Sequence, residues 1–151
     1  MGEVLEYKQI YFLGKSAKIK IRGSVHAPHN NGYDDERGDY QVTLKDHIGY
    51  RFEVLDVLGK GSFGQVIKVM DHKLGEMSAL KIIRNKRRFH KQAVTEVKIL
   101  TFLRDSDKAD TSNIIRMRES FLFRNHLCIT FPLLSINLYE FIKENDFKGV
   151  R

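Results

Sequence analysis

Leu58-Gly59-Lys60-Gly61-Ser62-Phe63-Gly64-Gln65-Val66-Ile67-Lys68-Val69-Met70 joins a glycine-rich loop to a run of apolar, β-branched residues. A Gly-x-Gly-x-x-Gly loop serves phosphate in two settings. In one it opens a helix, whose N-terminus holds the pyrophosphate of a dinucleotide. In the other it joins two strands and lies over the phosphates, because glycines let the backbone come close and aim N–H groups at oxygen. Residues 65–70 are poor in helix formers and rich in strand formers, so the loop reads as strand–loop–strand. A hairpin turn with no ligand is the plainer alternative.

Upstream, Tyr50, Phe52 and Val54 alternate with Arg51 and Glu53, the period of a half-buried strand. Downstream, residues 71–76 read as a turn and 77–83 as a third strand. Residues 89–103 have helical spacing. Ile114-Ile115 and Phe121-Leu122-Phe123 are strand-like, Asn125-His126 reads as a turn, and 127–131 as another strand. Leu138, Phe141 and Ile142 suggest a short final helix. This order predicts an α+β fold, a five-stranded antiparallel sheet with one main helix laid on it. Residues 1–48 differ. Short apolar pieces such as Ile10-Tyr11-Phe12-Leu13 sit among lysines, turn-forming residues fill 25–32, and an acidic patch follows at Asp34, Asp35, Glu36 and Asp39. This third reads as an extended accessory arm with one or two short strands, packing on something instead of folding alone.

Two charged residues fall on apolar faces. Lys81 shares a strand face with Ala79, since strand side chains alternate. A buried ammonium needs an anion beside it. Ala93, Val97, Leu100 and Leu103 form a helical stripe, and Glu96 falls on that stripe. The plainer readings are a lysine solvated on an edge strand and a glutamate at the stripe margin. Taken with the loop, the two residues favour a buried ion pair.

The chain has 151 residues, 42% hydrophobic and 30% charged, enough for one domain with its own core. Ten Phe and six Tyr exclude a fully disordered chain, and two Pro exclude a Pro-rich linker. A single cysteine excludes an internal disulfide and a Cys-based zinc site, and favours the cytosol or nucleus. No apolar run approaches the ~18 residues that span a bilayer, so no membrane partner is expected. The start, Met1-Gly2-Glu3-Val4-Leu5-Glu6, lacks a signal-peptide layout. The net charge of +7 permits a polyanionic partner, but solubility alone accounts for it. Arg84, Lys86, Arg87, Arg88 and Lys91 carry one nearby aromatic, Phe89, and no base-reading scaffold. They read as a solvated connection or a weak nuclear-import signal, not a nucleic-acid surface.

As a set, Gly59-Lys60-Gly61-Ser62-Phe63-Gly64-Gln65-Val66, Ala79-Leu80-Lys81 and Glu96 resemble the amino-terminal lobe (N-lobe) of a eukaryotic protein kinase. Arg84-Asn85-Lys86-Arg87-Arg88-Phe89-His90, Asn125-His126-Leu127-Cys128 and Ser135-Ile136-Asn137-Leu138-Tyr139 narrow the resemblance to the dual-specificity tyrosine-regulated kinases. Asn31-Gly32-Tyr33-Asp34-Asp35, leading to Asp46-His47 and Tyr50-Arg51-Phe52-Glu53, is similar to that family's DH box. The stretch 10–18 is similar to the accessory region of its class II branch. The resemblance implies an accessory and DH-box segment over 1–48, a kinase N-lobe over 49–134, and the hinge exit and start of a second lobe over 135–151.

It also implies roles. The backbone of Gly59, Lys60, Gly61, Ser62, Phe63, Gly64 and Gln65 would cover the phosphates of ATP, with Phe63 at the tip. Lys81 would hold the α- and β-phosphates and pair with Glu96. Leu58, Val66, Ala79 and Ile115 would sandwich the adenine, with Phe131 as gatekeeper behind it. Pro132, Leu133 and Leu134 would form the hinge, and Asn137 the mouth of the pocket. Pro132 stands where the family usually has Glu; it lacks the N–H but keeps the carbonyl the adenine edge uses. Nothing in the sequence matches the HRD loop or the DFG motif. The base aspartate and the Mg²⁺ ligands are therefore expected beyond Arg151, with no metal site here and this stretch alone inactive. The implied function is an ATP-dependent kinase phosphorylating Ser/Thr on protein substrates and Tyr on itself. The alternative is a truncated, non-catalytic binding or regulatory module.

Overall fold

A computed structural model of the chain describes residues 3–10, 23–106 and 117–133. The expectations for Ile114, Ile115, Leu134, Asn137, the final helix and most of 10–18 lie outside these residues. The described elements run as a 3-10 turn (Glu3–Glu6), α1 (Pro28–Asn31), β1 (His47–Ile48), β2 (Phe52–Gly61), β3 (Gly64–Asp71), β4 (Glu76–Ile83), α2 (Arg87–Ser106), β5 (Glu119–Phe123) and β6 (His126–Pro132). One six-stranded sheet, wholly antiparallel, has the order β1-β2-β3-β4-β6-β5. No helix among the described residues is long and apolar enough to cross a membrane.

The five expected strands are present, and a two-residue strand from the accessory segment adds a sixth at the edge. Tyr50 belongs to the turn between β1 and β2, where its φ is 56°, so β2 opens at Phe52. The β5–β6 turn is Arg124-Asn125, not Asn125-His126. Phe123 and His126 close the hairpin as a pair, and both turn residues take positive φ, 50° and 67°. That is the backbone a two-residue hairpin turn needs, and Asn tolerates it well. His126 is thereby released from the turn into the core. Helix α2 runs past both ends of the expected span. Its flanks are polar and carry no apolar period, so the stripe marks only the packed turns.

Period-2 alternation puts two cores on the two sheet faces. Val54, Ile67, Val69, Leu80, Ile82 and Cys128 line one face, where the accessory residues Tyr40, Tyr33 and Val42 cover them. Ile83 and Leu127 line the other with Ala93 of α2, and Phe63, Phe89 and Val97 pack there. β4 is covered on both sides and is buried from Ser78 to Ile83. At about 1.5–3 kcal/mol per buried aliphatic side chain, this central strand anchors whatever projects from it. α1 is a left-handed turn: His29, Asn30 and Asn31 each have φ of 57°.

Candidate nucleotide site

β2 and β3 close on each other through the pair Gly61↔Gly64, with Ser62-Phe63 as the turn. The expected strand–loop–strand is therefore a tight hairpin. Gly64 has a φ of 140°, and a Cβ there would run into the Ile82 carbonyl oxygen and the Arg84 nitrogen. Only glycine lets β3 lie that close to β4. The Arg84 amide donates to the Phe63 carbonyl at 2.6 Å. The Arg84 guanidinium donates to Asp39 at 2.9 and 3.2 Å and to the Gly61 carbonyl at 3.4 Å. The hairpin is thus fastened to the accessory segment through one arginine.

Register places the site residues. Val66 faces Lys81, which faces Ile129, and in the next row Lys68 faces Ala79, which faces Phe131. Opposed residues of antiparallel strands share a face. Val66, Ala79, Lys81 and Phe131 therefore stand together, on the side α2 covers. Gln65 turns the other way; its amide donates to the Tyr40 carbonyl at 2.6 Å. Of the residues expected around a nucleotide, Gln65 can thus offer only backbone, because its side chain is one position out of phase. Leu58 and Gly59 are partly buried, and Lys60 and Ser62 are exposed. Pro132 ends β6 opposite Ser78, and Leu133 follows it, exposed.

Lys81 Nζ donates to both carboxylate oxygens of Glu96, at 3.2 and 3.4 Å. Lys81 is only 6% exposed, so its charge requires that partner. The Glu96 side chain keeps 40% of its surface. The expected buried pair is thus a half-buried one, with the lysine inside and the carboxylate at the stripe margin. Phe63 lies in the turn at the tip of the hairpin. Its side chain folds inward, and Lys81 Nζ lies 4.7 Å from its ring centroid, a cation–π contact. The ammonium is held between a carboxylate and an aromatic face, both beneath a glycine hairpin.

Sequence reasoning missed Arg84, reading it as part of a basic connection. The available signal was its position, immediately after a buried strand, together with an unexplained acidic patch containing Asp39. It also missed His126, whose ring nitrogens lie 2.8 Å from the Ile83 carbonyl and 2.5 Å from Asp34 Oδ1.

A lysine on a central strand, paired with a helix glutamate beneath a glycine hairpin, defines the N-lobe architecture of protein kinases. Comparison with known proteins agrees: the protein kinase domain family matches residues 52–149, and the chain belongs to that family. It is 58% identical over 147 residues, 97% of its length, to a Drosophila melanogaster homologue of dual specificity tyrosine-phosphorylation-regulated kinase 3. It is 56% identical over 148 residues, 98% of its length, to dual specificity tyrosine-phosphorylation-regulated kinase mbk-2 of Caenorhabditis elegans. Over 147 residues, 97% of its length, it is 53% identical to the Homo sapiens dual specificity tyrosine-phosphorylation-regulated kinase 3. The chain spans 18%, 18% and 25% of these relatives' lengths.

Proposed function

We propose that this chain is the nucleotide-binding front of an ATP-dependent, dual-specificity protein kinase that phosphorylates Ser/Thr on protein substrates and Tyr on itself. The observation that carries the reading is the Lys81–Glu96 contact beneath the glycine hairpin. Lys81 is the residue to hold the α- and β-phosphates, and Glu96 keeps its ammonium in place. Val66, Ala79 and Phe131 supply the apolar surface for the adenine beside it. These residues fit a purine nucleoside triphosphate: one deeply seated cation, a glycine hairpin whose backbone has few side chains in the way, and an apolar face in consecutive sheet rows. ATP supplies the transferable phosphoryl group and Mg²⁺ neutralises its charge; the Mg²⁺ carboxylates are assigned to no residue of this sequence. Phe63 must leave the Lys81 ammonium for phosphates to reach it. Residues 1–48 serve as the accessory segment, 49–134 as the N-lobe and 135–151 as the way into a second lobe. A reducing compartment, cytosol or nucleus, suits the single cysteine, whose thiol burial pushes well above its ordinary value.

The test is Lys81→Met and Glu96→Gln in the intact protein, with peptide phosphorylation and autophosphorylation as readouts. Both variants should keep their melting temperature within a few degrees. Lys81→Met should lose phosphoryl transfer by more than about a hundredfold, the scale on which electrostatic positioning acts. Undiminished transfer in Lys81→Met would overturn the assignment. Nucleotide binding with no transfer in the parent protein would favour the non-catalytic module.

A further inference from the structure

His47, Glu53 and His72 take no part in the site above, yet they converge. One ring nitrogen from each histidine and one carboxylate oxygen all lie within 4.8 Å of one another. The sheet register makes the meeting. His47 and Glu53 are direct partners across β1 and β2, so both project from one face. Glu53 is also opposite Met70 on β3, and His72 lies two residues beyond Met70, on that face again. The His72 amide donates to the Arg51 carbonyl at 3.2 Å, continuing the ladder into the turn. His72 Nε2 lies 2.8 Å from Glu53 Oε1. The two imidazoles stack with centroids 5.5 Å apart and planes 29° apart.

We propose that these three side chains form a binding site for one borderline transition-metal dication, Zn²⁺ foremost, with water completing the coordination. Two imidazoles and one carboxylate are a nitrogen–oxygen set of the kind zinc takes with an open fourth position. Metal–ligand bonds of about 2.0–2.1 Å in a tetrahedron put donor atoms about 3.3 Å apart. That spacing falls between the 2.8 Å contact and the 4.8 Å outer limit seen here, so side-chain adjustments suffice. Mg²⁺ and Ca²⁺ prefer all-oxygen sets and are poorly served. Lys45 Nζ, 3.8 Å from Glu53 Oε2, is the competing cation, and its side chain is 61% exposed and able to swing into water. The site lies at the far end of the sheet from Lys81, and its purpose is mechanical. β1 has two residues, too few to hold an edge unaided, and a metal would bind it to β2 and to the turn after β3.

The experiment uses the intact protein, stripped with a chelator and titrated with Co²⁺ alone, then with Zn²⁺. The wild type should take up one equivalent of Co²⁺ with intense visible d–d absorption, which Zn²⁺ abolishes. His72→Gln is at a turn and partly exposed, so it keeps the fold, checked by circular dichroism. It should weaken that equivalent by more than about tenfold, the least expected when a coordination shell is disturbed. Glu53→Gln should do the same, whereas Lys45→Ala should tighten binding severalfold. Zn²⁺ should raise the melting temperature of the wild type and not of His72→Gln. Absence of the d–d band, or a band of equal strength and affinity in His72→Gln, would overturn the proposal. The trio would then be a hydrogen-bonded and stacked contact only.

Discussion

Asp34 and His126 meet across 92 positions of sequence, Oδ1 to Nε2 at 2.5 Å, with side chains only 2% and 1% exposed. The other ring nitrogen lies 2.8 Å from the Ile83 carbonyl. A carbonyl only accepts, so Nδ1 is the donor in that bond, and Nε2 is the nitrogen turned to the carboxylate. Asn85 and Asn30 donate to the same carboxylate at 3.1 and 3.2 Å. The accessory segment is therefore clipped to the ends of β4 and β6 through one buried aspartate–histidine contact. Asp34→Ala strands a buried imidazole and should cost about 3–5 kcal/mol. Asp34→Asn can donate to a neutral Nε2 and still accept from Asn85, so its cost should be nearer 1–2 kcal/mol. Urea unfolding of the two variants decides it. Equal losses would mean that an amide of the same shape cannot replace the carboxylate at all.

This clip also marks the limit of what the sequence shows. The glycine hairpin, Lys81 and Glu96 were legible because each sits on a periodic element whose faces can be counted. Ala79 shares the face of Lys81 by the same count, whereas Val66 and Phe131 were placed only by the family resemblance, since register between strands leaves no local trace. Asp34 and His126 fall in stretches that carry the family resemblance, but their contact was not legible, because nothing local records a partner on another element. Arg84 was hidden likewise: its partners Asp39 and Gly61 come from two other segments. β1 is too short to leave a period. The inward position of Phe63 was illegible too, since the tip of a hairpin has no face until something packs beneath it.

Acid should weaken the fold through Asp71. Burial acts to raise its carboxyl, but the Arg51 guanidinium outweighs this and holds it below its ordinary value of 3.8. The fork is bidentate at 2.7 Å on both oxygens, and the remaining donor reaches Glu119 at 2.6 Å. The folded value lies below the unfolded one. The contribution is therefore complete above the unfolded value and fades as pH falls through the depressed folded value. Arg51→Lys keeps the charge and loses the fork, so it should flatten this acid limb. Urea midpoints measured between neutral pH and the acid limb for both proteins test it; parallel curves would refute the role of Arg51.

The N-terminal turn is held by Arg124. Its guanidinium donates to both Glu3 oxygens at 2.9 Å and to the Tyr40 hydroxyl at 2.9 Å. The Tyr50 hydroxyl donates to Glu3 at 2.7 Å. Burial and that bond to Glu3 push the Tyr50 phenol up to about 12. Because the folded value is raised, the associated stability is present below the unfolded value, about 10, and is lost as pH rises through about 12. Arg124→Ala should deprotect amides 3–10 in hydrogen exchange. Glu3→Gln should lower the Tyr50 titration, seen in ultraviolet difference spectra. An unchanged exchange pattern in Arg124→Ala would show that the turn is held by other contacts.

Gly64 carries two demands that a kinase assay alone would confuse. Its place in the glycine hairpin suggests a phosphate role, yet its packing is demanding without any ligand. A Cβ would meet the Ile82 carbonyl oxygen and the Arg84 nitrogen, at a φ of 140° that side chains avoid. Relieving that clash means parting β3 from β4, where Gly64 faces Ile83, and it disturbs the Arg84–Phe63 bond that fixes the hairpin turn. Backbone strain and overpacking each cost on the order of 1–3 kcal/mol, so Gly64→Ala should lose at least about 2 kcal/mol before nucleotide is added. Ser62→Ala, exposed at the turn, should leave stability within about 0.5 kcal/mol. Thermal unfolding of both without ligand separates the demands. If Gly64→Ala melts with the wild type, the close approach of β3 to β4 is wrong, and any loss of activity would then belong to the phosphates.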